Sequence, residues 1–425
     1  MTADLLATTV RHYAWGSTTA LAELAGRPPT GEPEAELWLG AHPGAPARID
    51  RGTGPEPLDA VIARDPAAEL GPRVADRFGP QLPFLLKILA AEHALSVQVH
   101  PTSAQAAAGY AAEDAAGTPL DAPHRIYRDR HHKPELICAL GEFDALCGFR
   151  DPRATAELWQ RLDLPVLAPW IDTLRTAPAD TALRAVLTGA LAADRARGER
   201  AAAELPAAME KLATGGGPDA ASWAAYLAAA RDYPGDPGLL AALLLNHVHL
   251  GAGQALYLDA GVPHAYLRGL GVEIMANSDN VLRCGLTPKH VDTAALAGVV
   301  DFRPTAPQRA PAVPVGPGEL EFLTPAEEFT LSRIELGGPA RSELGGPARS
   351  ELGGPARFDV RSDARFDVRI EDDGPQLLLC VRGTARLYDG PTLGPGECAY
   401  VPAASGPLRL AGDATVFRAR VPRAR

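Results

Sequence analysis

The pattern of apolar and polar positions changes twice along the chain and separates three regions. Up to about residue 150, short apolar runs and strict alternation are broken by Gly/Pro turns, as in residues 83–90 and 95–100, which predict strands. Between about residues 151 and 246, Leu and Trp recur at helical spacing in an Ala-, Arg- and Glu-rich segment, which predicts several separate helices. Beyond residue 250 the strand pattern returns. The sequence therefore predicts a mainly β protein with an α-helical insertion.

A Pro-rich stretch, residues 303–317, predicts a linker between two groups of strands. The strand patterns before it are 254–258, 262–266 and 272–275, and those after it are 329–334, 376–381, 385–388, 399–401 and 414–419. Many short strands separated by turns are typical of a β-sandwich or jelly roll. We predict a β domain formed by residues 1–150 and 247–305, a helical insertion domain at 151–246, and a C-terminal β domain at 306–425.

A short repeat lies inside the predicted C-terminal domain. The sequence Glu-Leu-Gly-Gly-Pro-Ala-Arg occurs at 335–341, 343–349 and 351–357, and Phe-Asp-Val-Arg occurs at 358–361 and 366–369. Each copy has one large apolar residue and the period is far below that of a solenoid unit, so the repeat builds no core. We interpret it as an expanded surface loop between two strands.

Composition and charge exclude several classes of partner. The 425 residues carry a formal net charge of −11, which disfavours binding to nucleic acid or to an anionic membrane. No apolar stretch is long enough to span a bilayer, and the first residues show no signal-peptide pattern. The five cysteines form no C-x-x-C pair, so we expect a reduced, cytoplasmic environment.

The first candidate residues for chemistry are Gln98 and His100 in an alternating segment. Strand side chains alternate between faces, so these two point one way while Val97 and Val99 point the other. A polar pair among apolar residues needs a partner. A hydrogen-bonded pair at a strand end is the simpler interpretation of this motif taken alone.

The second candidate segment is residues 131–140, His-His-Lys-Pro-Glu-Leu-Ile-Cys-Ala-Leu. Pro134 favours an extended backbone before the apolar run, which places Glu135 at the beginning of a strand. Taken alone, the segment could be a charged turn. Its His, Lys and Glu could equally supply a metal ligand and an acid–base group.

The third segment, residues 260–292, is the densest in chemistry. His264 follows a Gly/Pro turn and Glu273 lies in an alternating strand. A short polar stretch then contains Asp279, Asn280, Arg283 and Lys289. Apolar residues are interspersed among these charged residues, which a solvated loop would not explain. We therefore favour a functional site in this segment.

Together, His100, Glu135, His264 and Gln98 offer two imidazoles, a carboxylate and an amide oxygen. Nitrogen and oxygen ligands without thiolate fit zinc, and also Fe(II) or Mn(II). The sequence contains no Walker A motif, no G-x-S-x-G elbow and no H-E-x-x-H. Residues 394–399 formally fit G-x-G-x-x-A, but their hairpin context with a proline in the turn indicates a loop.

Five ordered sequence blocks closely resemble those of the type I mannose-6-phosphate isomerases (phosphomannose isomerases), zinc enzymes of the cupin superfamily. The first two blocks are YAWG at 13–16 and AELWLGAH at 35–42, the third is FLLKIL at 84–89 with LSVQVHP at 95–101, the fourth is HKPE at 132–135, and the fifth joins PHAYL at 263–267, SDNVLR at 278–283 and GLTPK at 285–289. The resemblance implies a cupin jelly-roll catalytic domain followed by a second jelly-roll-like β domain.

The resemblance also implies a site and an activity. Zn²⁺, one per chain, would be bound by Gln98, His100, Glu135 and His264, with Arg283 as the active-site arginine. The pocket would further contain Lys133, His132, Glu273, Asp279, Lys87 and Lys289. The implied reaction interconverts mannose 6-phosphate and fructose 6-phosphate through a cis-enediol and feeds mannose metabolism and GDP-mannose supply. We expect a monomer whose partner is a small sugar phosphate.

The sequence leaves several alternatives open. Glu273, His132 and Asp279 are all candidates for the acid–base group, and Lys133 and Lys289 could bind the phosphate as point charges. A cupin oxygenase would use two imidazoles and a carboxylate around Fe(II), although a fourth protein ligand disfavours it. A non-enzymatic sugar-phosphate sensor is the other alternative, but such a protein would need neither an arginine nor carboxylates packed around the metal.

Overall fold

The alternating segments form two large antiparallel sheets in a computed structural model, which describes residues 3–289, 291–337, 368–370 and 372–423. In chain order the strands are β1 (Asp4–Leu5), β2 (Thr9–Arg11), β3 (Glu36–Leu39), β4 (Arg48–Ile49), β5 (Glu56–Pro57), β6 (Phe84–Ala91), β7 (Val97–Val99), β8 (Glu135–Phe149), β9 (Leu245–Leu250), β10 (Ala255–Leu258), β11 (His264–Ala276), β12 (Leu282–Gly285), β13 (Gln308–Arg309), β14 (Ala312–Gly316), β15 (Glu319–Phe322), β16 (Thr330–Leu336), β17 (Val368–Ile370), β18 (Gln376–Leu387), β19 (Thr392–Leu393), β20 (Cys398–Val401) and β21 (Leu408–Arg420). The predicted fold class, mainly β with helices, is confirmed.

The first sheet has the strand order β13-β10-β8-β11-β6-β3-β2, with β9 paired to β8 and the β7–β12 pair joined to β11. The second has the order β1-β20-β18-β21-β16-β15-β14, with β17 on β21 and β19 on β18. An apolar cluster between the sheets joins Leu86 and Ile88 of β6 to Leu377 and Phe417 of the second sheet. The two sheets therefore pack face to face through a shared core.

The helices occupy the predicted central region and several connections. They are α1 (Ala20–Leu24), α2 (Leu58–Arg64), α3 (Pro66–Leu70), α4 (Pro72–Phe78), α5 (Ser103–Ala115), α6 (Pro152–Gln160), α7 (Ala168–Thr176), α8 (Ala179–Thr188), α9 (Arg195–Thr214), α10 (Ala220–Asp232), α11 (Gly238–Leu243) and α12 (Thr293–Val299). The central helices bury Trp159, Trp223 and Tyr226 against one side of the first sheet. Among the residues described, no helix is both long and apolar enough to cross a membrane.

Two pairs of predicted strands are each one longer strand. Segments 262–266 and 272–275 belong to β11, whose register shifts on either side of Gly269 (φ 132°). Segments 376–381 and 385–388 belong to β18, which contains Gly383 at φ 73°. The sequence pattern predicted separate strands at these places, but the glycines allow irregularities within single bent strands.

The predicted linker at 303–317 was wrong in part, because it contains two strands. β13 pairs with β10 at one edge of the first sheet, and β14 pairs with β15 at one edge of the second. Pro314 lies within β14, and an edge strand tolerates a proline because one side of it makes no ladder hydrogen bonds. At this point of the chain, only the residues between these two strands connect the sheets.

The domain division itself stays a prediction. The helical run ends at Leu243, before the predicted position 246, because Leu245 already begins β9. Strand β1 belongs to the second sheet although it precedes the first. Almost all of the repeat, residues 338–367, lies outside the described residues, between β16 and β17.

Candidate metal centre and active site

Three strand ends bring His100, Glu135 and His264 together. His100 follows β7, Glu135 begins β8 and His264 begins β11, where it lies opposite Gln98. One donor atom from each residue lies within 4.8 Å of the others, and all three side chains are buried. Each adjoins a proline, which has no N–H and ends the ladder there, namely Pro101, Pro134 and Pro263.

Hydrogen bonds fix the tautomers of both imidazoles. His100 Nδ1 lies 2.7 Å from the Asn280 carbonyl oxygen, and His264 Nδ1 lies 2.9 Å from the Val262 carbonyl oxygen. A carbonyl oxygen only accepts, so each Nδ1 carries the hydrogen and each Nε2 retains a lone pair. These lone pairs face Glu135: His100 Nε2 is 3.3 Å from Oε1, and His264 Nε2 is 3.3 Å from Oε2.

The Nε2 atoms of the two imidazoles and the oxygens of the Glu135 carboxylate are all hydrogen-bond acceptors, and they face one another in a buried space. His100 Nε2 and Glu135 Oε2 have no hydrogen-bond partner among the described residues. Burial lowers the pKa of His100 to about 4, so its imidazole is neutral near pH 7. Burial alone would raise the pKa of Glu135, but Lys133 and His100 bring it well below its ordinary value. Two imidazole nitrogens and a carboxylate at this distance fit a divalent cation such as zinc.

Gln98 lies where a fourth ligand would be. Its side-chain Nε2 is 3.4 Å from His264 Nε2. The nitrogen and oxygen of an amide have nearly the same shape, so a half-turn of the amide presents its oxygen at the same place. The residue types and their placement fit the ligand set that the resemblance implies.

Lys133 lies beside the same carboxylate. Its side chain is buried, with Nζ 3.0 Å from Glu135 Oε1. The sequence left open whether Lys133 binds phosphate, and this position instead places its ammonium at the metal-binding group.

A second buried charge cluster crosses three neighbouring strands. Trp38 of β3, Lys87 of β6 and Glu273 of β11 lie opposite one another. Lys87 Nζ is 3.1 Å from Glu273 Oε2 and 3.4 Å from Glu36 Oε1. Burial alone would lower the pKa of Lys87, but Glu273, Glu36 and Glu135 raise it above its ordinary value. Burial raises the pKa of Glu273, with Lys87 acting in the opposite sense.

Tyr266 is a site residue that the sequence analysis missed. It lies two residues after His264 on β11, and its buried hydroxyl has no hydrogen-bond partner among the described residues. Burial and the carboxylates of Glu273 and Glu135 raise its pKa well above the ordinary value. The i, i+2 spacing from His264 was the available signal, because residues two apart share a strand face.

Three cations gather beyond Gln98. Arg283 lies opposite Gln98 in the β7–β12 pair. Burial and then Arg128 lower the pKa of Arg283, and burial, Arg283 and Arg128 lower that of Lys289. Within the described ranges, no carboxylate lies within 4.0 Å of these three cationic groups. The cluster can hold an anion, and Arg128 was not singled out from the sequence.

The remaining two candidates have partners outside the His–Glu–His group. His132 Nε2 lies 2.7 Å from Glu328 Oε1, in the segment between β15 and β16, and this contact raises the pKa of His132. Asp279 Oδ1 lies 3.4 Å from His42 Nε2, and its side chain is 51% exposed. Neither side chain makes a hydrogen bond or ion pair with the His–Glu–His group in the described part of the chain.

Comparison with known proteins gives a consistent result. Residues 5–152 match the family model "Phosphomannose isomerase type I, catalytic domain". The chain is 38% identical to mannose-6-phosphate isomerase of Escherichia coli K12 over 97% of this chain and 98% of that protein. It is 33% identical to the Rattus norvegicus enzyme, over 78% and 82%.

Solved structures are also similar over the full length. A zinc-bound mannose 6-phosphate isomerase matches with a TM-score of 0.86 and 35% identity, covering 100% of both chains. The Salmonella typhimurium enzyme bound to fructose 6-phosphate and zinc matches with a TM-score of 0.85 and 36% identity, again covering 100% of both chains.

Proposed function

Because this chain belongs to the mannose-6-phosphate isomerase family, we propose that it interconverts mannose 6-phosphate and fructose 6-phosphate and binds one zinc ion. The observation that carries the proposal is the meeting of two imidazole lone pairs with a buried carboxylate. Gln98, His100, Glu135 and His264 are the proposed ligands. The zinc and fructose 6-phosphate in a similar solved structure support the same assignment.

The reaction opens the sugar ring and moves a proton between C2 and C1 through a cis-enediol. A divalent ion at these ligands supplies Lewis-acid polarisation of the carbonyl and stabilises charge on the enediolate oxygens. Arg283, opposite Gln98, adds a positive charge that remains at every working pH. Lys133 Nζ, beside Glu135, can donate a hydrogen bond to a sugar oxygen.

We assign proton transfer at carbon to Glu273. The burial that raises its pKa brings a carboxylate toward the range suited to a general base. Lys87 compensates its charge at 3.1 Å. His132 and Asp279, which the sequence also allowed, are less suitable because each is held by a partner outside the metal-binding group.

The phosphate is assigned to Arg128 and Lys289 of the cation cluster, and the third cation, Arg283, to the reacting oxygens beside Gln98. None of the three has a carboxylate partner among the described residues, so their positive charge is available to a ligand. A chain of net charge −11 can thus attract an anionic sugar locally.

The cellular compartment, the oligomeric state and the domain boundaries are also proposals. They rest on the composition of the chain and on which sheet each strand joins. We propose a cytoplasmic monomer without nucleic-acid or membrane partners, supported by the acidic charge and by five buried cysteines that form no disulfide. The proposed domains are 1–150 with 247–305, the helical 151–246, and 306–425. Light scattering coupled to gel filtration tests the oligomeric state, and a dimer mass would contradict it.

The central experiment is a coupled assay on mannose 6-phosphate, with and without a chelator. We expect turnover in the zinc-loaded protein, loss on chelation and recovery on adding zinc. Full turnover by metal-free protein would refute the assignment. Oxygen uptake without isomerisation would instead indicate a cupin oxygenase.

A further inference from the structure

Asn280 lies between the ligand His100 and the segment that leads to Glu135. It is 0% exposed, and its carbonyl oxygen accepts the hydrogen bond that fixes the His100 tautomer, at 2.7 Å. Its side-chain Oδ1 accepts from the backbone N–H of Arg128 at 2.7 Å and of Asp129 at 3.3 Å. Its Nδ2 donates to the carbonyl oxygens of Asp129 and His131, each at 2.9 Å. The whole amide is therefore engaged.

Two residues that precede Asn280 in the chain, Ser278 and Asp279, also make hydrogen bonds to the segment 128–131. Ser278 Oγ donates to the Asp129 carboxylate at 2.9 Å, and the Asp279 N–H donates to Asp129 Oδ2 at 2.8 Å. We name Ser278, Asp279, Asn280 and Asp129 the Asn280 clasp. The clasp is long-range, because the bonds from the Asn280 side chain reach residues 149–152 positions away. A local asparagine turn, by contrast, bonds to a backbone group a few residues away.

The position of the clasp connects it to the metal-binding group. On one side, the Asn280 carbonyl keeps the hydrogen of His100 on Nδ1 and leaves the Nε2 lone pair toward Glu135. On the other side, the clasped segment 128–131 continues directly into Lys133 and Glu135. A displaced carbonyl would release the imidazole to its other tautomer, whose Nε2–H cannot bind a metal.

We propose that Asn280 is a positioning residue of the metal centre, which joins the orientation of His100 to the approach of Glu135. The inference rests on the proposed function for the identity of the metal, but it concerns metal affinity rather than turnover. The backbone N–H of Arg128 donates to Asn280 Oδ1, so the clasp also positions Arg128. Binding of the substrate phosphate therefore depends on the clasp as well.

The test compares zinc affinity in three variants. Asn280→Ala removes the side-chain bonds, and Asp129→Asn places an amide nitrogen where N–H and O–H groups now donate to oxygen. Asn277→Ala is the matched control, since Asn277 lies in the same turn but its amide donates to the Leu82 carbonyl oxygen at 3.2 Å. Zinc dissociation constants come from chelator competition on the purified full chain, and apo stability comes from thermal unfolding.

We expect Asn280→Ala to raise the zinc dissociation constant by about 10–100-fold, the usual effect of losing a residue that orients a ligand. Asp129→Asn should also raise the zinc dissociation constant, but by a smaller factor. Asn277→Ala should leave this constant within about twofold of the wild-type value. KM for the sugar phosphate should rise in Asn280→Ala even at saturating zinc, through Arg128.

Zinc affinity unchanged in folded Asn280→Ala and Asp129→Asn would overturn the proposal, as would an equal loss in Asn277→Ala. Should Asn280→Ala fail to fold, Asp129→Asn decides the outcome by the same measurement. A wild-type chain that binds zinc but does not isomerise would remove the proposed function and leave this inference intact.

Discussion

Two buried charge clusters, one in each sheet, satisfy their polar atoms differently. In the second sheet, all three nitrogens of the Arg418 guanidinium donate: Nε to Gln376 at 2.7 Å, Nη1 to Glu319 at 3.1 Å and Nη2 to Asp372 at 2.8 Å. In the first sheet, the atoms His100 Nε2, Glu135 Oε2 and Tyr266 Oη have no partner among the described residues.

This difference separates a structural cluster from a binding site. An unsatisfied buried polar atom costs free energy, so several such atoms around one point favour a site where something else supplies the partner. The Arg418 guanidinium is fully satisfied by groups of the chain itself. The His–Glu–His group leaves buried acceptor atoms that a cation would satisfy.

The largest expected effect is that of His264→Ala. The variant should lose bound zinc, and with it several kcal/mol of transition-state stabilisation, a fall in kcat/KM of about 10³-fold or more. The apo protein should unfold near the wild-type midpoint, because no complete network is broken. Elemental analysis after dialysis and chelator-treated unfolding curves measure the two effects. Stoichiometric zinc in the variant would remove His264 from the ligand set.

Arg418→Leu should give the opposite result. It leaves Glu319 without its cation and removes the nearest of the three guanidinium groups around Asp372, and breaking a buried charge network in this way costs about 3–5 kcal/mol of folding free energy. Zinc per folded chain should stay at the wild-type level. Urea unfolding with metal analysis of the folded fraction tests both, and wild-type stability would show that the network contributes little.

Arg283→Ala should affect turnover while leaving metal in place. Losing one fixed charge at the reacting oxygens is expected to lower kcat/KM by about 10²–10³-fold. Zinc content should not change, since Arg283 contacts no ligand atom among the described residues. Steady-state kinetics with metal analysis provides the measurement; near-normal turnover would take Arg283 off the active-site list.

The smallest expected effect is that of His249→Ala, in a cluster of the first sheet whose hydrogen bonds are made within the chain. His249 lies 3.0 Å from Asp144 and 2.6 Å from Glu142, and its hydrogen bond with Asp144 is the main cause that raises its pKa above 6.5. Stability gained from a raised pKa is present below the ordinary value and is lost as the pH rises through the raised one. His249→Ala should therefore destabilise by about 0.5 kcal/mol or less at pH 6, because the pair is exposed, and by less still at pH 9. Paired unfolding curves at both pH values test this, and a larger loss at pH 9 would contradict it.

The sequence was most informative about residues set by strand alternation and proline. Gln98 and His100 share a strand face, and Glu135 begins the strand after Pro134, both as predicted. Those features depend on neighbours in the chain, so a local pattern carries them. Strands β11 and β18 were each predicted as two strands, because a local pattern does not distinguish a turn from a bulge within a paired strand.

Contacts between distant segments could not be predicted. Glu328 meets His132 across 196 positions, and nothing in the sequence around either residue indicates the other. Arg128 became a candidate only when the Asn280 clasp placed it near Arg283 and Lys289. Tertiary packing decides such pairs, and a single sequence carries no direct record of it.

Strand β1 pairs with β20, so Asp4 lies opposite Tyr400. The ribosome therefore makes the two halves of this pair 396 positions apart. At translation rates of about 5–20 residues per second, the first strand waits at least about 20 s for its partner. The second sheet is consequently completed only after Tyr400 has been synthesised, and until then β1 lacks its partner strand.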